Sequence, residues 1–225
     1  MVVMDVMFLA KIALVAAAAL LLWWRVTNAR RRETEARDHM LDTFLPVVEG
    51  PSLRLSPWRY LNLQGRLDGR PARIDLIPDT LIPRALPTLW LQARWAGPHD
   101  GWLSVTKGWN GAEYFNEDTD AGTRLPRPAS WPADTVVRGD DGGSLALLHR
   151  IEHLDLDAYP SLKQLVVTGD EVKVTLRCAR GDRGVYRALR SGSFPADAVT
   201  PAIVAETLTV LRDIEKTLQL TEDVA

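Results

Sequence analysis

Four histidines, one cysteine and scattered acids are all that this chain offers for metal or thiol chemistry. His149-Arg150-Ile151-Glu152-His153 matches H-x-x-E-H. On a helix, His149 and His153 lie four residues apart on one face, where two imidazoles can ligate zinc and Glu152 can serve as the base. A third ligand would have to come from a distant acid, Glu206 or Glu215, both on the last helix. The competing reading is a short amphipathic helix that packs through Leu145, Leu148 and Ile151 and leaves both histidines partly exposed. Asn116-x-Asp118-x-Asp120 has the opening of a calcium loop, but Ala121 stands where the tight turn needs glycine. Arg127 occupies the position of the bidentate glutamate, so the stretch reads as a solvated acidic loop. The chain has no phosphate-cradling glycine loop, no dinucleotide fingerprint and no nucleophile elbow. Its single cysteine, Cys178, excludes an intrachain disulfide and a multi-thiolate metal site. We therefore expect no catalytic set, no resident metal and no cofactor, with a zinc hydrolase at His149, Glu152 and His153 as the enzymatic alternative.

The chain has 225 residues and a net charge of −2. A balance so close to neutral argues against a nucleic-acid binder, which would carry a basic excess. Beyond residue 24 there are six tryptophans, at 58, 90, 95, 102, 109 and 131. Most are expected in a core. Trp90 alternates with Leu89 and Leu91, which puts an aromatic on the second face of a strand. With Pro126–Pro132 it could form a patch for a protein partner; packing beneath a long loop is the alternative.

The N-terminal segment sets the protein's class. After a tail of residues 1–5, residues 6–24 form an apolar run broken only by Lys11, and Ile12–Trp24 holds thirteen consecutive apolar residues. As a helix this run spans about 28 Å, close to the ~30 Å hydrocarbon core of a bilayer. Lys11 can snorkel back to the interface, and Trp23 and Trp24 sit where indoles favour headgroups. Arg25, Arg30, Arg31 and Arg32 follow. Residues 25–37 carry five arginines against two glutamates, so the positive-inside rule places the C-terminal side in the cytoplasm. The opposite, periplasmic topology and a cleaved signal sequence remain as alternatives. Thr27-Asn28-Ala29 is a poor cleavage site for the latter.

The remainder reads as an α+β domain over residues 46–225. A basic juxtamembrane helix is expected over residues 25–45, ended by Pro46 and Pro51. Leu61–Leu67, an Asp68-Gly69 turn and a returning strand through Ile74 and Leu76 make a hairpin. Leu89–Trp95 and Trp102–Lys107 follow as strands. Residues 108–143 read as one long irregular loop, and Ser144 as the cap of a helix over Leu145–Leu154. Leu165–Thr168 and Val172–Cys178 form a second hairpin, with Cys178 toward the core. Thr200 and Pro201 open a long C-terminal amphipathic helix. Its stripe runs through Ile203, Val204, Leu208, Val210, Leu211, Ile214 and Leu218, with Asp213 on the opposite, solvent face. The antiparallel hairpins should form a sheet packed by this helix. From residue 38 onward acids outnumber bases by five.

Gly65–Leu76, Leu86-Pro87-x-x-Trp90-Leu91, Gly111-Ala112-Glu113-Tyr114-Phe115 and the last hairpin with its helix resemble bacterial inner-membrane proteins. These have one N-terminal helix and a small α+β domain. The resemblance implies a single-pass inner-membrane protein and no particular activity. The 22 arginines against five lysines also suit a GC-rich bacterial genome. The function expected is that of a membrane-anchored binding or scaffolding module. It would contact the bilayer through residues 6–24, present its surface to a protein partner, and have no nucleic-acid role.

Overall fold

The computed structural model describes residues 2–79, 87–97, 101–108, 122–140, 142–184, 186 and 192–219. Residues 1–39 and 40–225 form two separate compact units. The first is a single helix, α1 (Val2–His39). No glycine or proline interrupts the sequence before Pro46, and alanine and leucine dominate the apolar run, so nothing stops the helix where the arginines begin. Its apolar stretch is exposed all round, with Leu14 73% and Leu22 66% accessible. The helix is long and apolar enough to cross a membrane. Glu33 and Arg37 pair one turn apart near its end.

The α-helix stops at His39, six residues short of the expected Leu45, and residues Asp42–Val47 form a 3-10 helix instead. Pro46 explains the change. It has no N–H to give, and its ring would collide with the carbonyl four residues back in an α-helix. The tighter turn, closed by Phe44 N–H donating to the Leu41 carbonyl at 2.9 Å, brings Met40, Leu41 and Phe44 together in the core of the second unit. Thr43 donates to the Val199 carbonyl at 3.1 Å.

Among the described residues nine strands form one antiparallel sheet: β1 (Glu49–Leu55), β2 (Leu61–Leu67), β3 (Arg70–Asp79), β4 (Thr88–Ala96), β5 (Leu103–Thr106), β6 (Thr123–Leu125), β7 (Val136–Gly139), β8 (Leu162–Val167) and β9 (Glu171–Arg180). Their spatial order is β1-β2-β3-β4-β9-β8-β5-β7-β6. The β2–β3 hairpin turns on Asp68 and Gly69, both at positive φ (49° and 76°). Two left-handed residues in succession are what a two-residue turn between twisted strands requires. No strand is expected from the sequence at β1, which contains Pro51. Edge strands tolerate proline because one row of their amides pairs with nothing in the sheet. Gly65 admits β1 alongside: a Cβ there would meet Val48 and lie 2.7 Å from the Glu49 carbonyl oxygen. The expected loop 108–143 also needs correcting, since β6 and β7 lie inside it and close the far edge of the sheet. Strands of three or four residues carry too little alternation to stand out.

Helices α2 (Gly142–Ile151) and α3 (Pro201–Gln219) cover one face. α2 starts two residues before Ser144 and ends before Glu152, so Ser144 is no terminal cap. Its buried hydroxyl accepts from the Asp140 N–H at 2.9 Å and lies 2.6 Å from the Trp102 carbonyl oxygen. α2 packs through Leu147, Leu148 and Ile151, whereas Leu145 is exposed. Trp131 is buried, and its indole N–H donates to the Leu154 carbonyl at 3.0 Å. α3 begins as expected, with Thr200 Oγ1 accepting from the Ile203 N–H at 3.3 Å. Its buried stripe matches the expected one apart from Leu208, which is half-buried, and Thr207, which is buried and donates to the Ile203 carbonyl at 2.7 Å. Asp213 is not the solvent-facing residue it was expected to be: the Tyr159 hydroxyl donates to its carboxylate at 2.6 Å.

This packing makes Leu211, 1% exposed, a keystone of α3. Leu211→Ala should destabilise the domain by about 2–5 kcal/mol, through lost burial and a residual cavity. Lys216→Ala, on the exposed side of α3, should cost under ~0.5 kcal/mol. Equal shifts of the two chemical-denaturation midpoints would contradict the assignment of the helix face. Expressed alone, residues 38–225 should melt cooperatively as a soluble protein, since this unit holds the whole core cluster.

Candidate functional site

The H-x-x-E-H residues come together only in part. α2 ends at Ile151, so Glu152 and His153 lie in the following turn and His153 leaves the helical face that carries His149. His149 Nδ1 is 3.4 Å from a Glu152 carboxylate oxygen, with the imidazole 74% exposed. Glu206 accepts from the Ser161 N–H at 2.7 Å, and Glu215 pairs with Arg70, so both proposed third ligands are engaged elsewhere. Among the described residues no group of three or more His, Cys, Asp or Glu is placed to hold a metal ion. The acidic stretch Asn116–Asp120 and Trp109 lie outside the described residues. Lys11, Trp23, Trp24, Arg25, Arg31 and Arg32 are exposed on α1, which also carries Arg30.

Cys178 follows β9 onto the core side and packs against the main apolar cluster. Burial pushes its thiol up to about 12, against a backbone hydrogen bond at Leu91 that favours the thiolate. A thiol held protonated in this way is neither nucleophile nor metal ligand at neutral pH.

The concentrated polar chemistry lies on the sheet face opposite α2 and α3. Strand register aligns Asp75 on β3 with Gln92 on β4, Gln92 with Thr175 on β9, Thr175 with Gln164 on β8, and Gln164 with Thr106 on β5. All five are buried. One step along the strands, a second row aligns Arg73 with Arg94 and Arg94 with Lys173. Like charges directly opposite on neighbouring strands repel, so each arginine needs an anchor. Arg73 makes a bidentate pair with Asp75 at 2.7 and 2.9 Å. Arg94 donates twice to the Gln92 side-chain oxygen, at 3.1 and 2.8 Å, and lies 3.9 Å from Glu171. The hydrogen bond to Asp75 raises the Arg73 pKa further, so that guanidinium stays charged.

The buried polar row thus holds the basic row in place, and the basic row stays half open: Arg73 and Arg94 side chains are 43% and 39% accessible. Arg177 and Arg180 on β9 extend the positive charge along the strand and are exposed. Beyond the uncharged Val166 on β8 and Ser104 on β5, the same row reaches Arg138 on β7 and Arg124 on β6. Asn62 Oδ1 and Thr175 Oγ1 are buried on this face without a hydrogen-bond partner among the described residues. Trp90 shares the face and packs on Ile77 in a small cluster of its own. At 6% exposure it offers no open aromatic platform.

The row was hidden from sequence reading. Gln92, Thr175 and Gln164 are ordinary polar residues at alternating strand positions, and only the pairing of strands far apart in sequence makes them neighbours. No protein-family model matches this sequence, and comparison with curated proteins and with solved structures finds no match.

Two outcomes follow for Cys178. In the folded chain it should resist thiol reagents at pH 8 and react fully once denatured. Because the folded thiol titrates above its unfolded value of about 8.5, its contribution to stability is complete below that pH and is lost as pH rises toward about 12. Tyr159 acts in the same sense, since burial and Asp213 raise its phenol. The readout is therefore the difference in alkaline stability between wild type and Cys178→Ala. No difference between pH 8 and 11 would contradict the burial of the thiol.

Proposed function

We propose that this chain is a membrane-anchored binding or scaffolding module without enzymatic activity. Residues 6–24 cross a bacterial inner membrane once, and the α+β unit stands in the cytoplasm. The observation that carries the reading is the apolar stretch of α1, whose described side chains from Phe8 to Trp24 are all exposed. Thirteen successive apolar residues in water would forfeit the whole hydrophobic gain of burial, whereas a bilayer supplies it. The flanking Trp23, Trp24 and arginines fit the two zones of an interface, with indoles at headgroup level and positive charge on the cytoplasmic side. The acidic excess of residues 38 onward suits a domain that stands off an anionic surface. The sheet face with Arg73, Arg94 and Lys173 is the surface proposed for a partner. The end of α2 at Ile151, before Glu152 and His153, and the engagement of Glu206 and Glu215 elsewhere weigh against the hydrolase alternative.

The full chain should remain in the membrane pellet through alkaline carbonate extraction and be released only by detergent. Deleting residues 6–24 should release it. Fusions of a cytoplasm-active reporter to the C-terminus should be active, and those of an export-dependent reporter inactive. The reverse pattern would reverse the topology, and carbonate release of the intact chain would overturn the anchor.

A further inference from the structure

We propose that the basic band across β3, β4 and β9 is a docking site for an acidic polypeptide segment, a partner rich in Asp and Glu. The inference rests on reading the chain as a binding module and assigns that module its ligand chemistry. Charge complementarity carries it. Residues 38 onward are acidic in sum, yet among the described residues of β3, β4 and β9 on this face Arg73, Arg94, Lys173, Arg177 and Arg180 outnumber Asp75, Asp79 and Glu171. Such segregation sets neighbouring bases against one another, a cost that an arriving anion offsets.

The geometry favours carboxylates on a chain. Arg73 and Arg94 use Nε and Nη2 on their own anchors, Asp75 and Gln92. Each keeps remaining N–H donors on a half-exposed guanidinium fixed in position. Adjacent strands lie about 4.8 Å apart, so the row offers cations at a short, regular spacing. Anchored guanidinium groups suit bidentate contact with discrete carboxylates, whereas a fluid lipid surface is met as well by flexible, unanchored bases. The buried Gln92–Thr175–Gln164 row beneath contributes rigidity, with Gln164 Nε2 donating to Ser104 at 3.3 Å.

The test uses the full chain in neutral detergent and a fluorescent sixteen-residue polyglutamate, followed by anisotropy at about 50 mM salt. Binding is expected, and it should weaken about tenfold or more when salt is raised to about 300 mM. Arg94→Ala with Arg177→Ala should weaken it about tenfold, while Arg212→Ala with Lys216→Ala, which removes equal charge from α3, should change it less than about twofold. If Arg94→Ala disturbs the thermal melt, Arg177→Glu at the exposed position carries the test, with a loss of about fivefold or more expected. Absence of polyglutamate binding overturns the proposal, as does equal weakening by both pairs. Retention on immobilised phosphatidylglycerol that is lost in the Arg94/Arg177 variant, without polyglutamate binding, also overturns it and assigns the band to a lipid headgroup. Carbonate extraction of the same variants reads the anchor separately, so failure of the ligand and failure of the membrane reading are distinguishable.

Discussion

The pairing of β4 with β9 joins the β1–β4 meander to the other five described strands, and the rest of the domain is arranged around it. Nine residue pairs run from Thr88 with Arg180 to Ala96 with Glu171, interrupted by one bulge beside Leu89. β1 to β4 stack outward on one side of this seam, and β8, β5, β7 and β6 on the other. Closing so long a connection costs chain entropy, although that cost grows only slowly with length. The apolar half of the seam supplies the offset: Leu91, Ala93, Val174 and Leu176 are fully buried beneath the helices. The same alternation sends Gln92, Arg94, Lys173 and Thr175 to the other face. A slip of one residue would exchange the two sets, burying guanidinium groups under α3 and exposing the core, so the register is strongly specified.

Much of this architecture was legible because its signals are local. Asp68-Gly69 announces a hairpin through the φ values that its turn demands, and Thr200-Pro201 announces a helix through capping chemistry and ring geometry. The exposed run of α1 reads from composition alone. What was missed depends on contacts distant in sequence. β1 holds a proline and exposes every residue, so neither propensity nor alternation marks it. β6 and β7 are too short to display a period. Asp213 sits on the flank of α3 where a helical wheel places a solvent residue, and only Tyr159, arriving from another element, makes it a partner. The polar row is the extreme case, since none of its members is unusual in its own strand.

That row also explains how the domain keeps two unlike faces on one sheet. Burying Asp75, Gln92, Thr175 and Gln164 is unfavourable unless their hydrogen bonds are replaced. Arg73 and Arg94 supply the replacement at Asp75 and Gln92, and are in turn held in a fixed array. A purely structural face would be met more cheaply by alternating charges exposed to water. Local choices that oppose the simplest fold tend to mark surfaces kept for another purpose. The helix-covered face provides stability, and the anchored basic band provides a surface with a defined charge pattern.

Amide hydrogen exchange on the full chain, resolved to peptides by mass spectrometry, tests the seam most directly. If the β4–β9 register organises the domain, amides of residues 89–95 and 172–178 should be the slowest to exchange. They should lose protection together, at the free energy of global unfolding. The same account predicts early exchange at the outer strands β1 and β6. A β8–β9 hairpin that opens as a unit while β2, β3 and β4 stay protected would contradict it, because the two halves of the sheet would then be separate structures in contact rather than one sheet.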